Sequence, residues 1–328
     1  MVAPLNVGLA GLGTVGTSVV RLIESERAQL TARCGRAIHI VAVNARSRKK
    51  DRGVDLSRMR WVSDPVELAA DPDIDVFVEL MGGAEGAARN AVTAALSAGK
   101  SVVTANKALL AKHGIALAEI AEKQKVALNF EASAAGAIPV VKTLREGLAG
   151  NSIARVYGIL NGTCNYILTE MRRTGRPFAD VLAEAQRLGY AEADPAFDID
   201  GIDAAHKLAI LTSVAFGTAI NFDAVHVEGI RRISAQDIAF AARLGYRIKL
   251  LAIAEEYDDG AVGVRVHPAM VPLEHPLASV RDSYNAVFVE GRSVGQLMFY
   301  GRGAGGGPSP RSRRSSRWRG SAAARPPC

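Results

Sequence analysis

Asp203 and Lys207 are the pair from which chemistry is most readily built in this sequence. They stand four positions apart, a spacing that puts both on one face of a helix. The stretch they belong to, IDAAHKLAILTSVAF from Ile202 to Phe216, is otherwise largely apolar apart from His206 in its first turns. Charges on a helix of that kind usually line a pocket. Just upstream, GYAEADPAFDIDG crowds Glu192, Asp194, Asp198 and Asp200 into the same neighbourhood. Two readings stay open on this segment alone. One is an ordinary i,i+4 ion pair worth about 0.3–0.5 kcal/mol. The other is a lysine proton donor oriented by a carboxylate, with further acids free to hold a cationic substrate.

The elements that position such a pair begin at the amino terminus. Leu5 to Ala10 is a short apolar run followed at once by Gly11-Leu-Gly13-Thr14-Val15-Gly16 and then by the helical pattern TSVVRLIESERAQL. Strand, glycine turn and helix in that order form a dinucleotide-binding arrangement. The glycines permit a tight turn and close backbone approach to a pyrophosphate, and the helix amino end faces the anion. IHIVAV (Ile38 to Val43) reads as the second strand. A cofactor with a free ribose 2′-hydroxyl wants an acid at its end, but Asn44-Ala45-Arg46-Ser47-Arg48-Lys49-Lys50 stands there, which suits a 2′-phosphate and predicts NADP(H) over NAD(H).

DVFVEL (75–80), a helix over 86–98, and SVVTAN (101–106) running into Lys107 continue the alternation, with a helix over 108–123 and a strand over 126–133. Alternating strands and helices imply a parallel sheet, whose ligands collect beyond the carboxyl ends of the strands, where Thr104 and Lys107 lie. AAGAIPVVKTLREGL then reads as a connecting helix. Beyond it come helices near 166–173, 178–188 and 235–244 and strands near 250–257, 261–270, 285–290 and 296–300. This second region reads as α+β on a mostly antiparallel sheet. The expected organisation is a Rossmann-type nucleotide domain over 1–140, a substrate and dimerisation domain over 141–300, and a disordered tail over 301–328.

Composition narrows the function classes. The chain has 328 residues, 48% of them hydrophobic, enough for about two ordinary domains. No run reaches the ~18 apolar residues of a membrane span and the amino terminus lacks a signal-peptide pattern, so the cytoplasm is the expected compartment. The three cysteines are widely spaced and indicate neither a disulfide framework nor a zinc site. The net charge of +7 arises wholly after residue 300, where there are seven arginines and no acid. The body is neutral, which weighs against a nucleic-acid partner.

Taken together, GLGTVG, VVTANKALLA, FEASAAGAIPVV, YGILNGTCNYIL, GYAEADPAFDIDGIDAAHKLAIL and VEGRSVGQLMFYG, in order over residues 5 to 301, make the chain resemble homoserine dehydrogenase. The resemblance implies reversible NAD(P)-dependent oxidation of L-homoserine to L-aspartate 4-semialdehyde, in the route to threonine, methionine and isoleucine, by a homodimer. It implies that Lys207 exchanges the proton with the reacting oxygen, that Asp203 holds it, and that Lys107 is the second active-site lysine. Glu192 is then the carboxylate for the substrate's α-ammonium, with Asp198 and Thr163 as helpers. Gly162, Gly189 and Gly303 approach cofactor and substrate. It further implies a monovalent cation, Na+, on the Glu131 carboxylate and the carbonyls of Ala134, Gly136 and Ile138.

After Tyr300 the sequence departs from the family pattern. Gly301-Arg302-Gly303-Ala304-Gly305-Gly306-Gly307 gives way to acid-free Arg/Ser/Pro-rich sequence where the family has a returning helix, an abrupt change that a frameshift near Gly307 would produce. Two alternatives follow. One is a catalytically impaired, truncated homologue that only binds NADP. The other is a different NADP-linked dehydrogenase of the same architecture.

Overall fold

The computed structural model describes residues 2–219 and 222–303; of the tail expected to be disordered over 301–328, Gly301 and Arg302 instead end a strand, and the residues from Ala304 lie outside the described residues. The chain begins with β1 (Leu5–Ala10), α1 (Thr14–Ser25), α2 (Arg27–Cys34) and β2 (Ile38–Asn44). It continues through β3 (Arg60–Trp61), α3 (Pro65–Ala70), β4 (Val76–Glu79), α4 (Ala87–Ser97), β5 (Ser101–Thr104), α5 (Lys107–Gln124) and β6 (Leu128–Asn129). These strands form one parallel sheet in the order β3-β2-β1-β4-β5-β6. The order reverses between β1 and β4, and the glycine loop leaves β1 at that reversal, the place where open α/β sheets bind their ligands.

A 3-10 turn (Glu131–Ser133), the short α6 (Val140–Lys142) and a π-helical turn (Thr143–Gly147) lead to the second sheet. It is built from β7 (Ile153–Ile159), α7 (Gly162–Thr174), α8 (Phe178–Arg187), α9 (Ala196–Ile199), α10 (Ile202–Phe216), β8 (His226–Val227), α11 (Ala235–Arg243), β9 (Tyr246–Glu256), β10 (Val262–Pro272), β11 (Tyr284–Gly291) and β12 (Gly295–Arg302). The order is β12-β11-β7-β9-β10-β8, antiparallel except where β8 joins β10. Its side chains alternate between two apolar layers. Val156, Leu250, Ala252, Val287 and Val289 pack with Ile167, Met171, Leu208 and Leu211 of α7 and α10. Tyr157, Ile159, Leu251, Ala286 and Phe288 build a separate layer with Val271 and Leu277. A one-residue slip would exchange the layers, so this alternation sets the register.

Several expected elements take different bounds. The helical pattern after the glycine loop breaks at Glu26 into α1 and α2. The strand expected over 126–133 ends at Asn129, and the connecting helix over 134–148 is reduced to α6 and the π turn. Pro139 removes one amide donor there, and the Glu131 carboxylate accepts from Val141 N at 3.0 Å and Lys142 N at 2.7 Å, folding the link back on itself.

Within the glycine loop the three glycines differ in what surrounds them. A Cβ at Gly16 would lie 1.9 Å from Gly11 O and one at Gly11 would lie 2.4 Å from Leu80 O, whereas at Gly13 nothing stands within 4 Å. Gly16→Ala is therefore expected to destabilise the cofactor-free protein by about 1–3 kcal/mol or more, and Gly13→Ala, which only exchanges a good N-cap residue for a poor one, by about 0.5–1 kcal/mol. Urea unfolding of the two variants checks this; equal midpoints would contradict the described packing.

Candidate active site

α10 and α5 meet edge to edge, and their first turns carry the charged centre. α10 opens after Gly201, which adopts φ 85° as its cap, so Asp203 sits in the first turn near the positive end of the helix. Lys207 lies one turn on, and its Nζ donates to Asp203 Oδ2 at 2.6 Å and to Leu160 O at 2.8 Å. α5 opens on Lys107, capped by the Asn106 side chain, which accepts from Leu109 N at 3.1 Å. A lysine at a helix amino end faces an adverse dipole. Lys107 Nζ is compensated by Asp203 Oδ1 at 2.7 Å. Asp203 thus has one ammonium on each oxygen. Burial alone would raise its carboxyl; Lys207 and Lys107 pull it down more strongly, to about 2. The Lys107 side chain is 32% exposed and that of Lys207 11%, so the first faces an opening and the second the floor.

α7 supplies a second layer of partners. Its cap, Asn161, uses Oδ1 to accept from Cys164 N at 2.8 Å and Nδ2 to donate to both Asp198 Oδ1 at 2.8 Å and Asp203 Oδ2 at 2.9 Å. Thr163 donates to Tyr190 O at 2.9 Å and lies 3.2 Å from Asp198 Oδ2. Asn285, on β11, donates to the same Leu160 carbonyl that Lys207 uses, and its Oδ1 is buried without a partner. Gly303 packs against that amide, a Cβ there falling 3.0 Å from Nδ2. The His206 imidazole is held below its ordinary value by burial and then by Lys107, and its ring packs on Phe197 and Phe222. Its ring forms a wall of the site, with Nδ1 buried and without a partner among the described residues.

The acids divide by role. Asp198 and Asp203 join the network just described. Asp200 pairs with Arg231 and Asp194 accepts from Ala196 N at 3.1 Å. Glu192 is exposed, on a loop held by Gln186 Nε2, which donates to Glu192 O at 3.0 Å, and by the stacking of Tyr190 on Tyr166. Gly189 leads into that loop with φ 77°. Gly162 packs against backbone, a Cβ there meeting Ser283 O at 2.8 Å.

At the carboxyl ends of the parallel strands, Gly13 caps α1 without a side-chain hydrogen bond, and Thr14 and Val15 are exposed. Uncapped amides beside open space fit an anionic pyrophosphate. Arg46, Arg48, Lys49 and Lys50 are exposed beyond β2, with no acid at its end. Arg52 braces that loop, donating to Leu12 O at 3.2 Å and Ser47 O at 2.5 Å. Thr104 differs from its expected part. Its hydroxyl is buried, donates to Glu79 Oε2 at 2.5 Å and accepts from Asn106 N at 3.0 Å, so no hydroxyl proton is left for a cofactor. Glu79 also accepts from Met81 N and Gly82 N, tying β4 to β5 where Lys107 emerges. In the link between sheets, Ala135 and Gly136 are both left-handed, and Ile138 O accepts from Val140 N at 2.8 Å.

Asn161, Asn106, Glu79 and Asn285 were not singled out from sequence. An asparagine just ahead of a helical run is a capping signal, so Asn106 and Asn161 were detectable as caps. The reach of Asn161 to two carboxylates on other elements was not.

Comparison with known proteins shows what the chain is similar to. A family model described as the NAD binding domain of homoserine dehydrogenase matches residues 11–131, and one described as homoserine dehydrogenase matches residues 139–312. The homoserine dehydrogenase of Neisseria gonorrhoeae is 49% identical over 306 residues, covering 93% of this chain and 70% of the relative. That of Corynebacterium glutamicum is 50% identical over 311 residues, covering 93% and 69%. Among solved structures, a homoserine dehydrogenase from Thiobacillus denitrificans superposes with TM-score 0.88 at 46% identity, covering 92% of this chain and 70% of that one. A hyperthermophilic archaeal homoserine dehydrogenase in complex with NADPH gives 0.77 at 27% identity, covering 92% and 93%.

The depressed carboxyl of Asp203 has a consequence for stability. Its folded value of about 2 lies below the ordinary 3.8, so its contribution is complete above pH 3.8 and disappears as pH falls through 2. Urea unfolding of wild type and Asp203→Asn is expected to show a stability gap about 2 kcal/mol larger at neutral pH than near pH 2. A gap independent of pH would contradict the two-ammonium arrangement.

Proposed function

The chain belongs to the homoserine dehydrogenase family, NAD(P)-dependent oxidoreductases acting on a CH–OH group, and from that premise we propose how its own residues interconvert L-homoserine and L-aspartate 4-semialdehyde. The observation that carries the reading is the Asp203 carboxylate bracketed by Lys107 at 2.7 Å and Lys207 at 2.6 Å. An ammonium has three donors. Lys207 spends one on Asp203 and one on Leu160 O, leaving one for the substrate oxygen.

When bound, the nicotinamide supplies the hydride in reduction and accepts it in oxidation. As the aldehyde is reduced, its oxygen gains negative charge, and Lys207 delivers the proton to it. Lys107, with two donors not committed to Asp203, stabilises that charge from the open side. In the oxidative direction Lys207 takes the hydroxyl proton back. Asp203 keeps both ammoniums in place, and Asn161 fixes Asp203. Glu192 receives the substrate's α-ammonium, while Asp198 orients Thr163 toward the substrate. Gly162 and Gly189 keep backbone close to the bound molecules, and Gly303 does so from the Asn285 side.

NADP(H) is the preferred cofactor in this reading. Gly11, Gly13, Thr14, Val15 and Gly16 hold its pyrophosphate, Thr104 sets the strand end through Glu79, and Arg46 with its basic neighbours meets the 2′-phosphate. A sodium-like cation fits the link between sheets. Its donors are hard oxygens, one carboxylate and three carbonyls, a low-charge set suited to a monovalent ion. The amide bonds to Glu131 use one lone pair on each oxygen and leave others. Exposed apolar side chains on and beside the second sheet, Met270, Leu273, Met298 and Tyr300, support a homodimer. Among the described residues no helix is long and apolar enough to cross a membrane, and a cytoplasmic enzyme is the accompanying proposal.

Spectrophotometry with L-aspartate 4-semialdehyde tests the reading against a silent NADPH-binding homologue: NADPH must be consumed. Lys207→Ala is expected to lower turnover by ~10² or more with NADPH affinity unchanged, and turnover near wild type would reject its role. Arg46→Ala is expected to reduce the preference for NADPH over NADH by about tenfold, the scale of one charge-assisted contact. Comparable efficiency with both cofactors in wild type, unaffected by this change, would remove the NADP assignment.

A further inference from the structure

On the far side of α7 from its cap, three arginines and one lysine gather without a counter-charge. Arg172 stands in the last turn of α7, Arg247 and Lys249 at the start of β9, and Arg281 in the loop ahead of β11. None of them forms an ion pair among the described residues; Asp282 attracts Lys249 only from a distance. Lys249 is buried, and its Nζ donates to Asn165 Oδ1 at 2.8 Å and to Val280 O, which leaves one proton uncommitted. Burial, reinforced by Arg172, Arg247 and Arg281, brings Lys249 down to about 7. Burial and the two neighbouring arginines also lower Arg172. Among the described residues the Arg247 guanidinium donates only to Tyr246 O, at 3.2 Å.

These groups surround a recess. Thr169, Arg172, Tyr246, Arg247 and Lys249 line it together with apolar side chains, and of about 270 Å³ of space that opens to solvent only about 10 Å³ is enclosed to the size of a water. That enclosed space, the floor, holds about one oxygen-sized atom. Thr169 is 5% exposed and its hydroxyl has no hydrogen-bond partner. A water would satisfy that hydroxyl but would leave the clustered charges repelling one another. An anion answers both, and planar guanidiniums favour one with several oxygens.

We propose that this recess binds a small phosphate-sized oxyanion, one oxygen reaching Lys249 and Thr169 at the floor and the others meeting Arg172 and Arg247 at the mouth. The site stands apart from the Asp203 centre and is joined to it through α7, where Asn165 holds Lys249 one turn beyond Asn161, and through the packing of α10 on β9.

The test uses full-length protein saturated with NADPH, so that the glycine loop is already filled. Inorganic phosphate and, separately, phosphoserine are titrated by calorimetry against potassium chloride of equal ionic strength. The expected result is saturable uptake of one oxyanion per chain, not reproduced by chloride. In Arg172→Ala and in Arg247→Ala it is weakened about tenfold or more, each having lost a charge-assisted contact, while NADPH affinity stays unchanged. Tighter uptake of phosphoserine assigns the site to phosphate esters, and tighter uptake of phosphate to the free ion. Arg247 lies at the mouth and its removal leaves the buried Lys249 in place, so this variant reports even if substitution of Lys249 unfolds the protein. No uptake beyond chloride, or uptake untouched by Arg247→Ala, overturns the proposal.

Discussion

A carboxylate taken almost wholly out of water and gripped by an ammonium on each oxygen is the constraint on which the rest of this molecule depends. Burying Asp203 alone would be costly, and a single partner would leave a neutral pair. Two lysines leave the centre with one positive charge in excess, facing the place where an oxygen would turn negative. The arrangement needs two helix amino ends to meet. α10 brings Asp203 to the favourable end of its own dipole, and α5 presents Lys107 at an unfavourable one that Asp203 offsets. Asn161 then joins Asp203 to Asp198, so the centre and α9 are tied through one amide.

The supporting geometry comes from short polar ties at strand ends. Glu79 collects Met81 N, Gly82 N and the Thr104 hydroxyl, and Thr104 in turn receives Asn106 N, the residue that caps α5. A buried acid in this position replaces the backbone partners that a parallel sheet lacks where its strands stop. On the other sheet, Leu160 O accepts from both Lys207 and Asn285, so the carbonyl ending β7 becomes a fixed point for the reacting lysine.

Much of this was legible in the chain because local signals agreed with the tertiary outcome. α10 runs from Ile202 to Phe216 as its pattern predicts, because Gly201 and Gly217 bracket it with left-handed caps. β1 and the glycine loop were legible because an apolar run meets a turn that only glycine permits at Gly11 and Gly16. Where the reading departed, a longer-range partner had taken over. The Glu131 carboxylate captured the amides of Val141 and Lys142 and ended a run that looks like continuous strand and helix. α7 starts at Gly162, four residues before its apolar pattern begins, because Asn161 caps it. Thr104 looked like a strand-end cofactor contact, but its hydroxyl was claimed by an acid on the neighbouring strand, a pairing with no local trace. Asn161 shows the same limit. Its capping half is a local rule, and its bridge to two acids exists only once α9 and α10 have folded across it.

Lys107 opens the helix that follows β5 of the parallel sheet and Asp203 lies on a helix packed against the antiparallel one, so their 2.7 Å contact crosses the seam between the two halves. A displacement of one half against the other that stretched this contact would strip a submerged anion of half its neutralising charge, so posture and reactivity share one ion pair.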